Sequence, residues 1–136
     1  YIGRGINYPL ACEGALKMKE ISYIQAESFS AGELKHGPIA LIEKGTPVVG
    51  VCPNDNTYDD TVANLHEAKA RGALAIGISD RNNVIFDHWI PLPKVNPLFY
   101  PIVSTLPLHI LAYLVSVGKG INPDRPRNLA KSVTVK

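Results

Sequence analysis

The sequence contains few of the residues and segments that would assign it to a specialised class of protein. It holds two cysteines in 136 residues, and Cys12 and Cys52 are too far apart to form a CxxC motif. Two thiols cannot complete a tetrahedral metal site alone, so we interpret both as buried thiols of a cytoplasmic protein. The formal net charge is only +2 and the basic residues are dispersed, which argues against nucleic acid or a membrane surface as the partner.

Several recognisable motifs are also missing from the sequence. The first residues lack the basic stretch and apolar core of a secretory signal, and the Gly3–Gly5 segment lacks the third glycine of a dinucleotide fingerprint. The four histidines have no metal-ligand spacing, so we expect neither a metal nor a cofactor. The chain begins at Tyr1, within a predicted strand, and we expect it to be part of a longer protein.

What the sequence does contain is an alternation of hydrophobic runs and helical segments. Pro47–Cys52 and Leu74–Ile78 are continuous β-branched and aliphatic runs, which are typical of strands buried in a parallel sheet. Asp59 or Asp60 is predicted to cap the helix between them, and Gly72 to end it after Arg71. The remaining predicted elements are a strand before Gly5, a helix over Pro9–Tyr23, a short element over Ile39–Ile42 and a strand over Asp87–Leu92.

This order predicts an α/β fold, a three-layer α/β/α sandwich with a mainly parallel, doubly wound sheet. We assign residues 1–119 to the domain. Residues 120–136 contain Pro123, Pro126 and mixed polar residues, and are predicted to form an irregular C-terminal tail.

One segment, Pro97–Gly118, contains no Asp, Glu, Lys or Arg and is long enough to span a bilayer. Pro101, Pro107 and several polar side chains argue against a membrane span, as does the lack of a second such segment. We therefore expect a helix buried between the sheet and a neighbouring subunit of a homodimer.

Charged residues of chemical interest concentrate near the predicted first helix. Glu13, Lys17 and Glu20 are spaced i, i+4, i+7, which places them on one face of a helix, where they form either an ordinary ion-pair ladder or part of an active site. His36 precedes a Gly-Pro helix breaker, so its imidazole is expected on a loop, where it is either an unremarkable surface side chain or a catalytic one. Lys131, a lone lysine of the tail, would be inert unless burial lowers its pKa.

The other histidines are expected to have no chemical role. His66 is predicted to lie on a solvated helix surface, and His88 and His109 to be structural.

Three stretches of the chain resemble the second sugar isomerase (SIS) domain of the glucosamine-6-phosphate synthase family. They are EGALKMKEISYIQAES at residues 13–28, GELKHGPIALI at residues 32–42 and DRPRNLAKSVTVK at residues 124–136. The GELKHGP motif has a form that several SIS domains share, whereas the PRNLAKSVTV ending is more specific to the synthases. The resemblance extends from the first strand to the last residue.

The resemblance implies both a reaction and roles for named residues. Enzymes of this family convert fructose 6-phosphate and glutamine into glucosamine 6-phosphate and glutamate. By resemblance, Lys131 forms a Schiff base with the C2 carbonyl of the sugar, and Glu20 moves a proton between C1 and C2. His36 assists ring opening in the partner subunit's site, Lys17 supports Glu20, the backbone of Ala130 contacts the sugar, and the tail closes over the active site.

The same resemblance implies that parts of the enzyme are missing from this chain. There is no glutaminase domain and no Ser/Thr-rich phosphate loop of the kind that the first SIS domain supplies, so the chain is expected to be nearly inactive without the rest of the parent enzyme. The expected partners are fructose 6-phosphate or glucosamine 6-phosphate, a second copy of the chain and the parent enzyme. The alternatives are a non-catalytic sugar-phosphate-binding regulatory module and a purely structural pairing domain.

Overall fold

A computed structural model describes residues 1–129, which form a five-stranded parallel sheet with helices on both faces. The strands are β1 (Ile2–Gly3), β2 (Phe29–Ser30), β3 (Pro47–Val51), β4 (Leu74–Ser79) and β5 (His88–Pro91), and the α-helices are α1 (Asn7–Ser22), α2 (Tyr58–Lys69) and α3 (Tyr100–Gly118). The strand order in the sheet is β2-β1-β3-β4-β5. Short 3-10 helices span Ala31–His36, Pro38–Leu41 and Pro97–Phe99. The predicted α/β fold with a doubly wound parallel sheet is thus confirmed.

The ends of the helices differ from the prediction in detail. Helix α2 begins after Thr57 rather than after Asp59 or Asp60, because the Asp55 side chain accepts hydrogen bonds from both the Thr57 N–H and its hydroxyl, each at 2.7 Å, and so closes the preceding turn. The helix ends at Lys69, and Gly72 takes a left-handed φ of 97° in the turn that leads to β4.

Alternate residues of the central strands face two separate hydrophobic cores. Val48 and Ala75 pack on the face covered by α2 and by the 3-10 helix Ala31–His36. Val49 and Ile78 pack on the opposite face, beneath α1 and α3. This period of two, with both faces covered, explains why the strands read as continuous apolar runs in the sequence.

Helices α1 and α3 pack closely because small residues line their contact. The buried positions of α3 include Ser104, Leu108, Ala112 and Ser116, which recur every four residues and form one stripe. Opposite this stripe, a Cβ atom added to Gly14 of α1 would lie only 2.6 Å from the Leu108 Cδ2 atom. One side of α3, which lies in the segment without charged residues, is therefore packed against α1 in the core of the domain.

The other side of α3 remains exposed in the described part of the chain. Helix and preceding turn together, Pro97–Gly118, have a mean hydropathy of 1.7, and the segment has the length and composition of a membrane span. Its exposed large apolar side chains are Leu98, Phe99, Ile102, Leu106, Ile110, Tyr113, Leu114 and Val117. One such helix, packed through its small residues on α1, does not indicate a membrane protein.

The two cysteines differ in burial. Cys52 follows β3 and is fully buried, as predicted, and burial raises the pKa of its thiol to about 12. Cys12 is only partly buried on α1, so the prediction of two buried thiols was wrong for this residue.

Candidate active site

The C-terminal half of α1 holds the most closely coupled charged groups predicted from the sequence. Lys17 Nζ lies 2.6 Å from Glu20 Oε2 and 3.9 Å from Glu13 Oε1, so the ammonium group sits between two carboxylates. The hydrogen bond to Glu20 is the main cause of the raised pKa of Lys17; burial opposes it, and the negative charges of Glu20 and Glu13 add to the rise. All three side chains are about one-third exposed and remain open to a ligand.

Helix α3 adds a fourth side chain to the charged row of Glu13, Lys17 and Glu20. His109 Nε2 lies 2.9 Å from Glu13 Oε1, which connects α3 to the row through residues 96 positions apart in sequence. His109 was predicted to be structural only, and the local pattern carried no signal for this contact. The contact between His109 and Glu13 depends on the packing of α3 against α1.

The described part of the tail lies against the same end of α1. Leu16, Lys17, Lys19, Glu20, Tyr23, Arg127, Asn128 and Leu129 line an open depression of about 470 Å³. Lys17 and Glu20 form one wall, and three residues of the tail form another. The depression therefore combines an ammonium group, a carboxylate and the chain segment that leads to Lys131.

Two contacts join the tail to Tyr23, which follows α1. The backbone N–H of Arg127 donates a hydrogen bond of 2.8 Å to the Tyr23 hydroxyl, and the Arg127 guanidinium carbon lies 4.1 Å from the centroid of the Tyr23 ring. Tyr23 adopts a left-handed φ of 58° as the C-cap of α1. Neither residue was a predicted site residue, and a contact across 104 positions leaves no mark in the local sequence.

The start of the tail is held by the last turn of α3. Ser116 Oγ donates to the Ile21 carbonyl at 2.8 Å, and Lys119 Nζ donates to the Ser22 carbonyl at 2.7 Å. These bonds satisfy carbonyl groups that the end of α1 would otherwise leave unpaired. They also fix the point from which the tail leaves the domain.

The remaining predicted site residues are not assembled with Lys17 and Glu20 in the described residues. His36 is exposed at the end of the 3-10 helix Ala31–His36, whose Ala31 and Leu34 pack on the face of the sheet opposite to α1. Ala130 and Lys131 lie outside the described residues. Within residues 1–129, no group of three or more His, Cys, Asp or Glu side chains is arranged to hold a metal ion.

A second polar region lies at the opposite end of α1, where parallel sheets commonly bind ligands. The topology reverses between β1 and β3, and the crevice at their carboxyl ends lies about 20 Å along the helix axis from Glu20. Here the buried Asn7 donates 2.8 Å and 3.2 Å bonds to Asp55 and Thr57. The Asp55 carboxylate thus lies in this crevice and accepts hydrogen bonds from Asn7 and Thr57.

Comparison with known proteins identifies the relatives of this chain. Residues 1–117 match the family model described as SIS domain. The chain is 59% identical, over 99% of its length, to a glutamine–fructose-6-phosphate aminotransferase (isomerizing) of Pyrococcus horikoshii, and 57% identical over the same share to that of Thermococcus kodakarensis. Among solved structures, it superimposes with a TM-score of 0.84 and 46% identity on the C-terminal domain of the glucosamine-fructose-6-phosphate aminotransferase from Francisella tularensis.

The match is to one part of these larger proteins. The chain spans 23% of the length of the two curated relatives, in their C-terminal part, and its superposition covers 91% of this chain and 36% of the Francisella domain. The sheet, its flanking helices and these similarities agree with the resemblance inferred from residues 13–42 and from the tail. The chain belongs to the SIS domain family and corresponds to the isomerase SIS domain of these aminotransferases.

Proposed function

We propose that this chain supplies the isomerisation residues of an enzyme that makes glucosamine 6-phosphate from fructose 6-phosphate and glutamine. The observation that carries the proposal is the Lys17–Glu20 pair, at 2.6 Å, in a depression that residues 127–129 help to form. A carboxylate beside a protonated amine is held in position by the ion pair, and an adjacent tail can bring a second lysine.

The two lysines have different parts in this proposal. The raised pKa of Lys17 keeps its amine protonated at neutral pH, so it is unsuited to attack a carbonyl and instead holds the charge of Glu20. Lys131 is then the nucleophile: its neutral amine adds to C2 of the open-chain sugar, the C2 oxygen leaves as water, and a C=N bond replaces C=O. Leu129 lines the depression and precedes Lys131 by two residues, a length of chain that spans at most about 7 Å, which supports the choice of Lys131 as the nucleophile.

Glu20 is proposed to move the proton between the two sugar carbons. Ammonia from glutamine then adds to the C2 imine and displaces the Lys131 amine, which is regenerated, so that C2 carries the nitrogen of the product. Glu20 removes one of the C1 hydrogens that this imine makes more acidic, and the same carboxyl group returns the proton at C2 while C1 loses its hydroxyl proton and becomes the aldehyde carbon. His36 is proposed to assist ring opening in the partner subunit's site, which fits its exposed position away from Glu20. The backbone of Ala130 is proposed to contact the sugar.

Trapping of the imine tests this proposal. The full-length enzyme that carries this chain is incubated with fructose 6-phosphate and borohydride, and the adduct is mapped by mass spectrometry. We expect labelling at Lys131, none in Lys131→Arg, and unchanged labelling in the surface control Lys44→Arg. Binding of the sugar without an adduct would instead support the non-catalytic regulatory module.

We propose that the exposed apolar row of α3 is covered in a homodimer of a cytoplasmic enzyme, since a row of this size is unusual on the surface of a monomer. Sedimentation of Ile102→Glu and Leu106→Glu variants tests this, because buried charges should dissociate the dimer. A mass that does not change would contradict it.

A further inference from the structure

We propose that Tyr23 and Arg127 form a latch that holds the C-terminal tail over the Lys17–Glu20 pair, and that Tyr23 is a positioning residue for the reaction. This inference rests on the proposed function, since a latch matters only if the tail brings Lys131 to the site.

The latch has two independent components. The first is directional, because the Tyr23 hydroxyl accepts the backbone N–H of Arg127 at 2.8 Å and so fixes the position of the tail backbone. The second is the stacking of the Arg127 guanidinium 4.1 Å from the ring centroid, which holds the side chain against the same residue. Tyr23 therefore contacts both the backbone and the side chain of Arg127.

Tyr23 is itself held rigidly enough to act as an anchor. Its N–H donates to the Lys19 carbonyl at 3.2 Å, and the carbonyls of the two preceding residues are bound by Ser116 and Lys119 of α3. Its left-handed backbone directs the chain away from the helix axis at this point. The anchor thus lies about one turn from Glu20, directly after the same helix.

The tail reverses direction immediately after the latch. Asn128 has a left-handed φ of 62°, which asparagine tolerates better than most residues, and Leu129 then lines the depression with Lys17 and Glu20. The order of the features along the chain is therefore latch, turn, contact with the site, and then Lys131. Within residues 1–129, the other hydrogen bonds between the tail and the helices are at its start, where Gly120 and Ile121 bond to the last turn of α3.

The test uses conservative variants of the full-length enzyme that carries this chain. Tyr23→Phe keeps the ring and removes the acceptor, and Arg127→Lys keeps the charge and removes the planar stacking group. Tyr8→Phe, on the same helix but at its other end, is the matched control. The readouts are amide hydrogen exchange of residues 120–129 and of α1, and the rate of borohydride trapping at Lys131 with fructose 6-phosphate.

In Tyr23→Phe we expect the Arg127 amide to exchange about fivefold faster and trapping to slow by about the same factor, the usual effect of one lost hydrogen bond. Arg127→Lys should slow trapping less, and α1 exchange should be unchanged in all variants. Unchanged exchange at the Arg127 amide would overturn the latch. Slower trapping at Lys131 together with faster exchange throughout α1 would also overturn it, because Tyr23 would then have a merely structural role. If the unsubstituted enzyme forms no adduct, the proposed function fails, and the exchange of Arg127 alone decides whether the latch exists.

Discussion

Replacement of Gly14 by alanine tests the packing that brings α1 and α3 together. Alanine is favoured over glycine inside a helix by about 1 kcal/mol, so helix propensity alone predicts stabilisation. The new Cβ atom would, however, lie 2.6 Å from the Leu108 Cδ2 atom and 3.1 Å from the Tyr1 ring. Leu108 is fully buried, so a shift of its Cδ2 atom must be taken up by packed neighbours, and overpacking should cost about 1–3 kcal/mol.

The net expectation is a destabilisation of about 1 kcal/mol, measured by urea unfolding followed by circular dichroism. Gly118→Ala is the matched control, because a Cβ at the end of α3 meets nothing within 4 Å and should stabilise slightly. In a Leu108→Ala background, which itself costs about 2–5 kcal/mol, Gly14→Ala should become stabilising, because the clash with Leu108 is gone and the milder 3.1 Å contact with the Tyr1 ring remains. Stabilisation by Gly14→Ala in the unsubstituted chain would refute this account of the interface.

The remaining predictions concern single ionisable groups. At neutral pH, iodoacetamide should modify the partly buried Cys12 and leave Cys52 unmodified until unfolding, because burial raises the pKa of the Cys52 thiol to about 12; equal labelling of both native thiols would contradict this. Hydrogen bonds from Lys69 and from the Ala75 backbone lower the pKa of Asp87 below its ordinary 3.8, so its contribution to stability is present above that pH and is lost as the pH falls through the lowered value. The stability difference between the unsubstituted chain and Asp87→Asn should therefore shrink in acid, and a constant difference in pH-dependent urea unfolding would exclude the ion pair. For Lys17 the sign is opposite, because its pKa is raised: its contribution to stability is complete below the ordinary pKa of 10.5 and is lost only as the pH rises through the raised value. In thermal unfolding at alkaline pH, the stability difference between the unsubstituted chain and Lys17→Gln should therefore persist to strongly basic pH.

Helical spacing and strand periodicity made much of the site and of the fold predictable from the sequence. Lys17 and Glu20 could be paired from their positions alone, because residues three apart on a helix are neighbours whatever surrounds them. The runs Pro47–Cys52 and Leu74–Ile78 likewise predicted a parallel sheet, because strands covered by helices on both faces are apolar throughout. By contrast, the cap of α2 was assigned to the wrong residue, since the choice of Thr57 depends on how the Asp55 side chain folds back in the preceding turn.

By itself, the sequence determined the α/β class, the parallel order of its elements and the pairing on one helix face, because these follow from periodicities of two and 3.6 residues. Only the tertiary structure decided that His109 meets Glu13 and that Arg127 rests on Tyr23. Both contacts join residues about a hundred positions apart, and their formation depends on the close packing of α1 on α3 that Gly14 permits. No local pattern encodes such a distance, because it is the sum of many packing contacts rather than the property of any one segment.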